Sequence, residues 1–167
     1  SELGILFLSH FNREVLLRIL QNNDLQFVPQ FTAKPHVFVS RSNPLAKKSS
    51  VTREDLLAYP RLTYDQGTNN SFYFSEELYS TDESPKNIIV SDRATLFNLL
   101  IGLNGYTISS GILSSDLNGT DIASIPLESE ECMEIGYIHP IDRPLSQMAQ
   151  RYLEHFRTYI ANYQSNQ

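Results

Sequence analysis

Four short polar stretches hold the residues that could do chemistry, and the chemistry is hydrogen bonding. They are Ser9–Asn12 (SHFN), Tyr64–Ser71 (YDQGTNNS), Ser91–Thr95 (SDRAT) and Ser109–Gly111 (SSG). Each follows an apolar run of strand type, and the first three lead into a helical pattern. In a parallel α/β sheet such turns gather at the carboxyl edge, where ligands bind. The free backbone N–H groups of the helix that follows attract anions there. Small hydroxyl and amide side chains beside glycine hydrogen-bond a ligand without filling its space. The local alternative stays open: Ser91 or Asp92 merely caps a helix, and SSG merely closes a turn.

Turnover chemistry finds little support. The chain contains no Gly-x-x-x-x-Gly-Lys-Ser/Thr, Gly-x-Gly-x-x-Gly, Gly-x-Ser-x-Gly or His-Glu-x-x-His. His10, His36, His139 and His155 are scattered, and none stands at metal-ligand spacing from a cysteine or carboxylate. The pairs Glu76-Glu77 and Glu130-Glu131 point in different directions on any regular element, so they read as solvated faces rather than an acid/base couple. Cys132 sits among Glu130, Glu131 and Glu134, a setting that disfavours a reactive thiolate. The expectation is no enzyme, no metal and no cofactor.

The elements that must position the polar stretches alternate in kind. Strand-type runs are LGILFL, LQFVPQF, PHVFVS, RLTY, NIIVS, YTIS, DIASIPL and MEIGYIH, with Pro29 and Pro35 marking edges or breaks. Asn12 can cap a helix carrying Val15, Leu16, Ile19 and Leu20. Thr52 with Asp55 resembles a capping box, and Ser71 is a cap for a helix over FYFSEELY. The helix after Ser91 is apolar nearly all round and should be largely buried, with Asn104-Gly105 as its left-handed exit. Met148, Ala149, Tyr152, Leu153, Phe156, Tyr159, Ile160 and Tyr163 form one apolar stripe on the last helix, capped by Ser146. This alternation predicts an α/β fold with a largely parallel sheet.

Composition narrows the function. The chain has 167 residues, 41% hydrophobic and 19% charged, enough to bury a core. A net charge of −6 argues against nucleic-acid binding by these residues, because affinity there rests on neutralising phosphates. Arg41, Lys47 and Lys48 make the one basic patch, in loop-type sequence. No run reaches the roughly 18 apolar residues of a membrane span. The start, SELGILFLSHF, has no signal-peptide pattern. A single cysteine requires no oxidising compartment, so the expected location is cytoplasmic.

The ordered segments LGILFLSHF, PHVFVSRSNPLAKKSSVTREDLLAYPRLTY, NIIVSDRATLFNLLIGLNGYTISSGIL and MEIGYIHPIDRPLSQMAQRYLEHF resemble the effector-binding domain of LysR-type transcriptional regulators over nearly the whole chain. GTNNSFYFSEEL and SDRATLFNLLIGLNGYTISSGIL resemble in particular a streptococcal subgroup associated with methionine uptake and capsule genes. The resemblance implies a periplasmic-binding-protein-like (type II) fold: two lobes joined by two crossover strands, HVFVS and EIGYIH. Residues 1–40 and 138–167 would form one lobe and residues 41–137 the other. A small metabolite, such as a sulfur amino acid or precursor, would bind between them. The residues implied as contacts are Ser9, His10, Asp65, Thr68, Asn69, Asp92, Arg93, Thr95, Ser109 and Ser110. Arg93 would suit a carboxylate, with a surface ion pair to Asp92 or another acid as its competing role.

The resemblance also implies a homodimer or homotetramer, with REVLLRIL as a candidate interface or, equally, as core of its own lobe. The family's N-terminal winged helix-turn-helix, its only route to DNA, precedes the matched region, as do the first strand and helix of the first lobe. The chain would then be a piece of a longer regulator. A further departure is YTISSGIL, where the family often has proline after the strand. A solute-binding protein of a transporter shares the implied fold; it would need export or a lipid anchor.

Overall fold

The computed structural model describes residues 2–65, 72–75, 77–79, 82–114 and 118–165, and divides into two compact units. The first holds residues up to Thr32 together with Glu134 onward; the second runs from Ala33 to Met133. The divisions read from the sequence, at 40/41 and 137/138, stand eight and four residues further along. The difference follows strand pairing, as the partners of the two passage strands show.

In the first unit, β1 (Gly4–Leu8), β8 (Met133–Pro140) and β2 (Leu25–Ala33) form a three-stranded sheet in that order. β1 and β8 are antiparallel, with Gly4 opposite Ile138 and Leu8 opposite Glu134. Pro29 lies in β2, an edge strand, the place in a sheet where a residue without an N–H is tolerated. β2 can approach β8 because Gly136 has no side chain: a Cβ there would stand 2.4 Å from the Val28 carbonyl oxygen.

Helix α1 (Arg13–Asn22) buries Leu16 and Leu20 and leaves Ile19 exposed. Asn12 does not cap it. Its Oδ1 instead accepts the Ser9 N–H at 2.7 Å, and its amide donates to the Phe7 carbonyl at 3.2 Å, which fixes the loop before the helix. The last helix, here α4 (Gln147–Ser165), starts at Ser146, whose hydroxyl accepts the Ala149 N–H and donates to the Glu2 carboxylate. Its apolar stripe divides. Ala149, Leu153 and Ile160 are buried, and Phe156 meets Phe31 with ring centroids 6.0 Å apart. Met148, at 81% exposure, stays out with Tyr152 and Tyr159. At about 100° per residue the stripe spans roughly 140° of the helix, more than one packing surface covers.

In the second unit a five-stranded sheet has the order β5-β4-β6-β3-β7. The strands are β3 (His36–Ser40), β4 (Arg61–Tyr64), β5 (Asn87–Val90), β6 (Tyr106–Ser109) and β7 (Ile122–Pro126). β4 is parallel to both its neighbours, whereas β3 is antiparallel to β6 and β7. The sheet is therefore mixed, not largely parallel. Among the described residues, a strand–helix–strand crossover runs from β5 through α3 (Arg93–Gly102) to β6. Thr52 and Asp55 do form a capping box at α2 (Arg53–Leu56). Over the expected helix FYFSEELY, a 3-10 turn covers Phe72–Phe74 and the backbone at Leu78–Tyr79 is a turn. Ser71 lies outside the described residues.

Helix α3 (Arg93–Gly102) is less buried than its composition suggests. Leu96 and Leu100 are 1% and 0% exposed and pack on Phe38, Leu62, Val90 and Ile122. Ile101 and Leu103 are 45% and 47% exposed, because the helix lies on one face of the sheet, which covers Leu96 and Leu100 fully and Phe97 and Leu99 in part. Asn104, not Gly105, takes the left-handed exit, with φ of 54°. Replacing Leu100 by Ala should lower the unfolding free energy by about 2–5 kcal/mol. Ile101→Ala should stay within about 0.5 kcal/mol. Equal losses in urea denaturation would show that α3 is covered on both sides.

Candidate functional site

The candidate site is the carboxyl edge of the five-stranded sheet, and parallel pairing assembles it. Tyr64 at the end of β4 lies opposite Val90 at the end of β5, and the Asp65 N–H donates to the Val90 carbonyl at 2.8 Å. β6 runs parallel on the other side of β4, starting level with it at Arg61 and Tyr106, so Ser109 ends at the same edge. Asp65, the turn from Ser91 to Thr95, and Ser109-Ser110 thus follow three adjacent strand ends.

Asp92 is the N-cap of α3. Its carboxylate accepts the Thr95 N–H at 2.8 Å and the Thr95 hydroxyl at 2.7 Å. These two bonds, the backbone one foremost, hold the Asp92 carboxyl below its usual range. Asp92 and Thr95 therefore serve each other first, as the local reading of this turn anticipated. The Arg93 guanidinium lies 4.9 Å from the centre of the Phe97 ring and donates to Asn118 Oδ1 at 3.1 and 3.3 Å. No ion pair to Asp92 or another acid is formed by Arg93 among the described residues.

Ser109 and Ser110 are half-buried, and the chain leaves them through Gly111 with φ of +84°. Its carbonyl accepts the Ser124 hydroxyl at 3.2 Å, and a Cβ there would stand 2.5 Å from His36 Nδ1. The imidazole of His36 thus packs on the backbone that presents the two serines. Ser9 and His10 belong to the first unit, in the loop between β1 and α1; His10 is exposed. Thr68 and Asn69 lie outside the described residues.

Three residues at this edge escape the sequence reading. His36 looked like one of four scattered histidines, and Gly111 like a turn residue; their closeness follows from the antiparallel register of His36 with Ser109. Glu77 is the third, and it corrects an expectation. It is 8% exposed rather than solvated, accepting the Tyr64 N–H at 3.0 Å and the Ser75 hydroxyl at 2.9 Å. A buried carboxylate needs such donors, and only the fold shows them. Among the described residues no group of His, Cys, Asp and Glu could hold a metal ion. No described helix is long and apolar enough to cross a membrane.

Two outcomes follow from this geometry. Gly111→Ala should destabilise the chain by more than about 1 kcal/mol in urea denaturation, because alanine is strained at that φ and meets His36. A neutral result would mean that the turn relaxes freely. The Asp92 carboxyl is lowered in the folded chain, so its contribution is present above the unfolded value and is lost as pH falls through the folded one. The stability gap between the parent and Asp92→Ala should be full near neutral pH and close on strong acidification. A gap independent of pH would rule out the carboxylate as the cap.

Comparison with known proteins identifies the fold. A family model for the LysR substrate binding domain matches residues 11–161. No curated protein sequence matches the chain. The solved effector binding domain of QuiR in complex with shikimate is 16% identical, with a TM-score of 0.56 over 87% of this chain and 77% of that one. HinK, a LysR family transcriptional regulator from Pseudomonas aeruginosa, is 13% identical, with a TM-score of 0.63 over 95% of this chain and 52% of its own. The oxidized form of OxyR is 14% identical, with a TM-score of 0.56 over 97% of this chain and 73% of its own. The chain thus spans about half the length of HinK, and the shared fold is periplasmic-binding-protein-like, type II. A match that takes in all but the two ends of the sequence places the chain in the LysR substrate binding domain family.

Proposed function

We propose that this chain is the effector-sensing regulatory domain of a transcriptional regulator, and that its effector is a small anionic or zwitterionic metabolite. The observation that carries the reading is the carboxyl edge of the second unit. Three adjacent strand ends bring Asp65, Asp92, Arg93, Thr95, Ser109 and Ser110 to one side of the sheet, beside the N-terminus of α3. The α3 terminus favours negative charge, and Arg93 is held by a neutral amide rather than a carboxylate, so an anion can claim it. A ligand that binds one conformation more tightly shifts the population toward it, and the regulator reads that shift.

The effector is a sulfur amino acid or a precursor of one, as the resemblance to the methionine-associated subgroup suggests. The domain works in the cytoplasm as a homodimer or homotetramer, with α1 as a candidate contact element, and reaches DNA through a winged helix-turn-helix elsewhere in the regulator. Each lobe corresponds to one compact unit, residues 1–32 with 134–167 and residues 33–133. No specific observation favours delivery of a solute to a transporter.

A thermal-shift screen of methionine, homocysteine, cysteine and O-acetylserine tests the effector class. One of them at a hundredfold excess over its Kd should stabilise the folded chain by about 2.7 kcal/mol. If none raises Tm, the sulfur assignment fails. For an identified anionic effector, Arg93→Ala should weaken binding about tenfold or more, and unchanged affinity removes Arg93 from the site. The same titration on alanine variants of Ser9, His10, Thr68 and Asn69 decides each of those residues.

A further inference from the structure

A second concavity, of about 350 Å³, lies at the opposite, amino edge of the five-stranded sheet, where β4 and β6 begin. Arg61 and Tyr106, the first residues of those strands, line it and are 7% and 6% exposed. Arg61 donates to Asn87 Oδ1 at 3.0 Å and to the carbonyls of Tyr79 and Asp82 at 2.8 Å each. All three acceptors are neutral; among the described residues two of the five guanidinium N–H groups have no acceptor and the buried charge pairs with no carboxylate. A charge so placed is costly until a counter-charge meets it. Burial pushes the Tyr106 hydroxyl above the usual phenol range, against the pull of Arg61 and of a hydrogen bond with Ser84, so it stays protonated.

The mouth has the opposite sign. Glu54 and Glu83 are exposed there, while Asp82 is paired with Arg53, which lies 4.7 Å above the Tyr79 ring. Leu56, Leu57 and Ile108 supply apolar wall. A simple anion would be drawn inward by Arg61 but repelled at the mouth, and a simple cation the reverse. A molecule with a carboxylate at one end, an ammonium beside it and an aliphatic body satisfies both regions. Its size suits the space, since small-ligand pockets begin at about 300 Å³.

We propose that this cavity is a second ligand site, specific for a small zwitterionic amino acid with an aliphatic side chain, its carboxylate toward Arg61 and Tyr106 and its ammonium toward Glu54 and Glu83. The site is separate from the carboxyl edge and does not rest on the function proposed for that edge.

Isothermal titration of the whole chain with L-leucine, isocaproate and isoamylamine tests it. L-leucine should bind saturably, and the two analogues, each lacking one charge, at least about tenfold more weakly. Tyr106→Phe and Leu57→Trp, the latter at a position 58% exposed, should each weaken L-leucine about tenfold, whereas Ile101→Ala, on the exposed side of α3, should leave it unchanged. Urea midpoints confirm that each variant is folded. The proposal is overturned if the folded chain shows no saturable binding, if isocaproate binds as tightly as L-leucine, or if folded Leu57→Trp keeps the parent affinity.

Discussion

Parallel pairing of β4 with a neighbour on each side is the constraint from which the second unit follows. A parallel neighbour must be reached by a crossover, so the chain leaves β5 through α3 before entering β6. That helix needs a cover, and Leu96 and Leu100 find it on Leu62, Val90 and Phe38. The same pairing sends the last residues of β4, β5 and β6 to one edge and their first residues to the other. Polar side chains just beyond the strand ends are gathered without any specific contact between them.

Two buried charges mark the ends of β4. Glu77 holds the N–H of Tyr64, the last residue, and Arg61, the first, holds the carbonyls of Tyr79 and Asp82. Glu77 is thereby tied to one end of the strand, and Tyr79 and Asp82 to the other. Tyr79 has a φ of 61°, a conformation an L-residue adopts only under constraint, and the bond from Arg61 to its carbonyl supplies one. Arg61 is satisfied by two carbonyls and an amide oxygen, and among the described residues it forms no ion pair.

The resident hydrogen bonds also set what a ligand at the carboxyl edge must displace. Asp92 and Thr95 are committed to capping α3, and Arg93 rests on Phe97 and Asn118. A ligand placed there would meet a preformed helix end, and a carboxylate at Arg93 would replace the neutral acceptor Asn118 by a charged one. That exchange favours a carboxylate, because hydrogen bonds to ionised acceptors are the stronger kind.

What the sequence determined by itself is local. The capping box at Thr52 and Asp55, the start of α4 at Ser146, the left-handed turn at Asn104 and every strand-type run around the four polar stretches depend on neighbours a few residues apart, and side-chain type decides those. What the tertiary structure alone decided depends on distant partners. Ile101 and Leu103 are as apolar as Leu96 and Leu100, but the sheet covers one side of α3. Glu77 reads as a surface acid until Tyr64 and Ser75 donate to it. Asn12 reads as a cap until the Ser9 N–H takes its side chain. The mixed strand order, the meeting of His36 with Gly111 and the buried guanidinium of Arg61 arise from pairing across tens of residues, which hydrophobic period and capping preference do not encode.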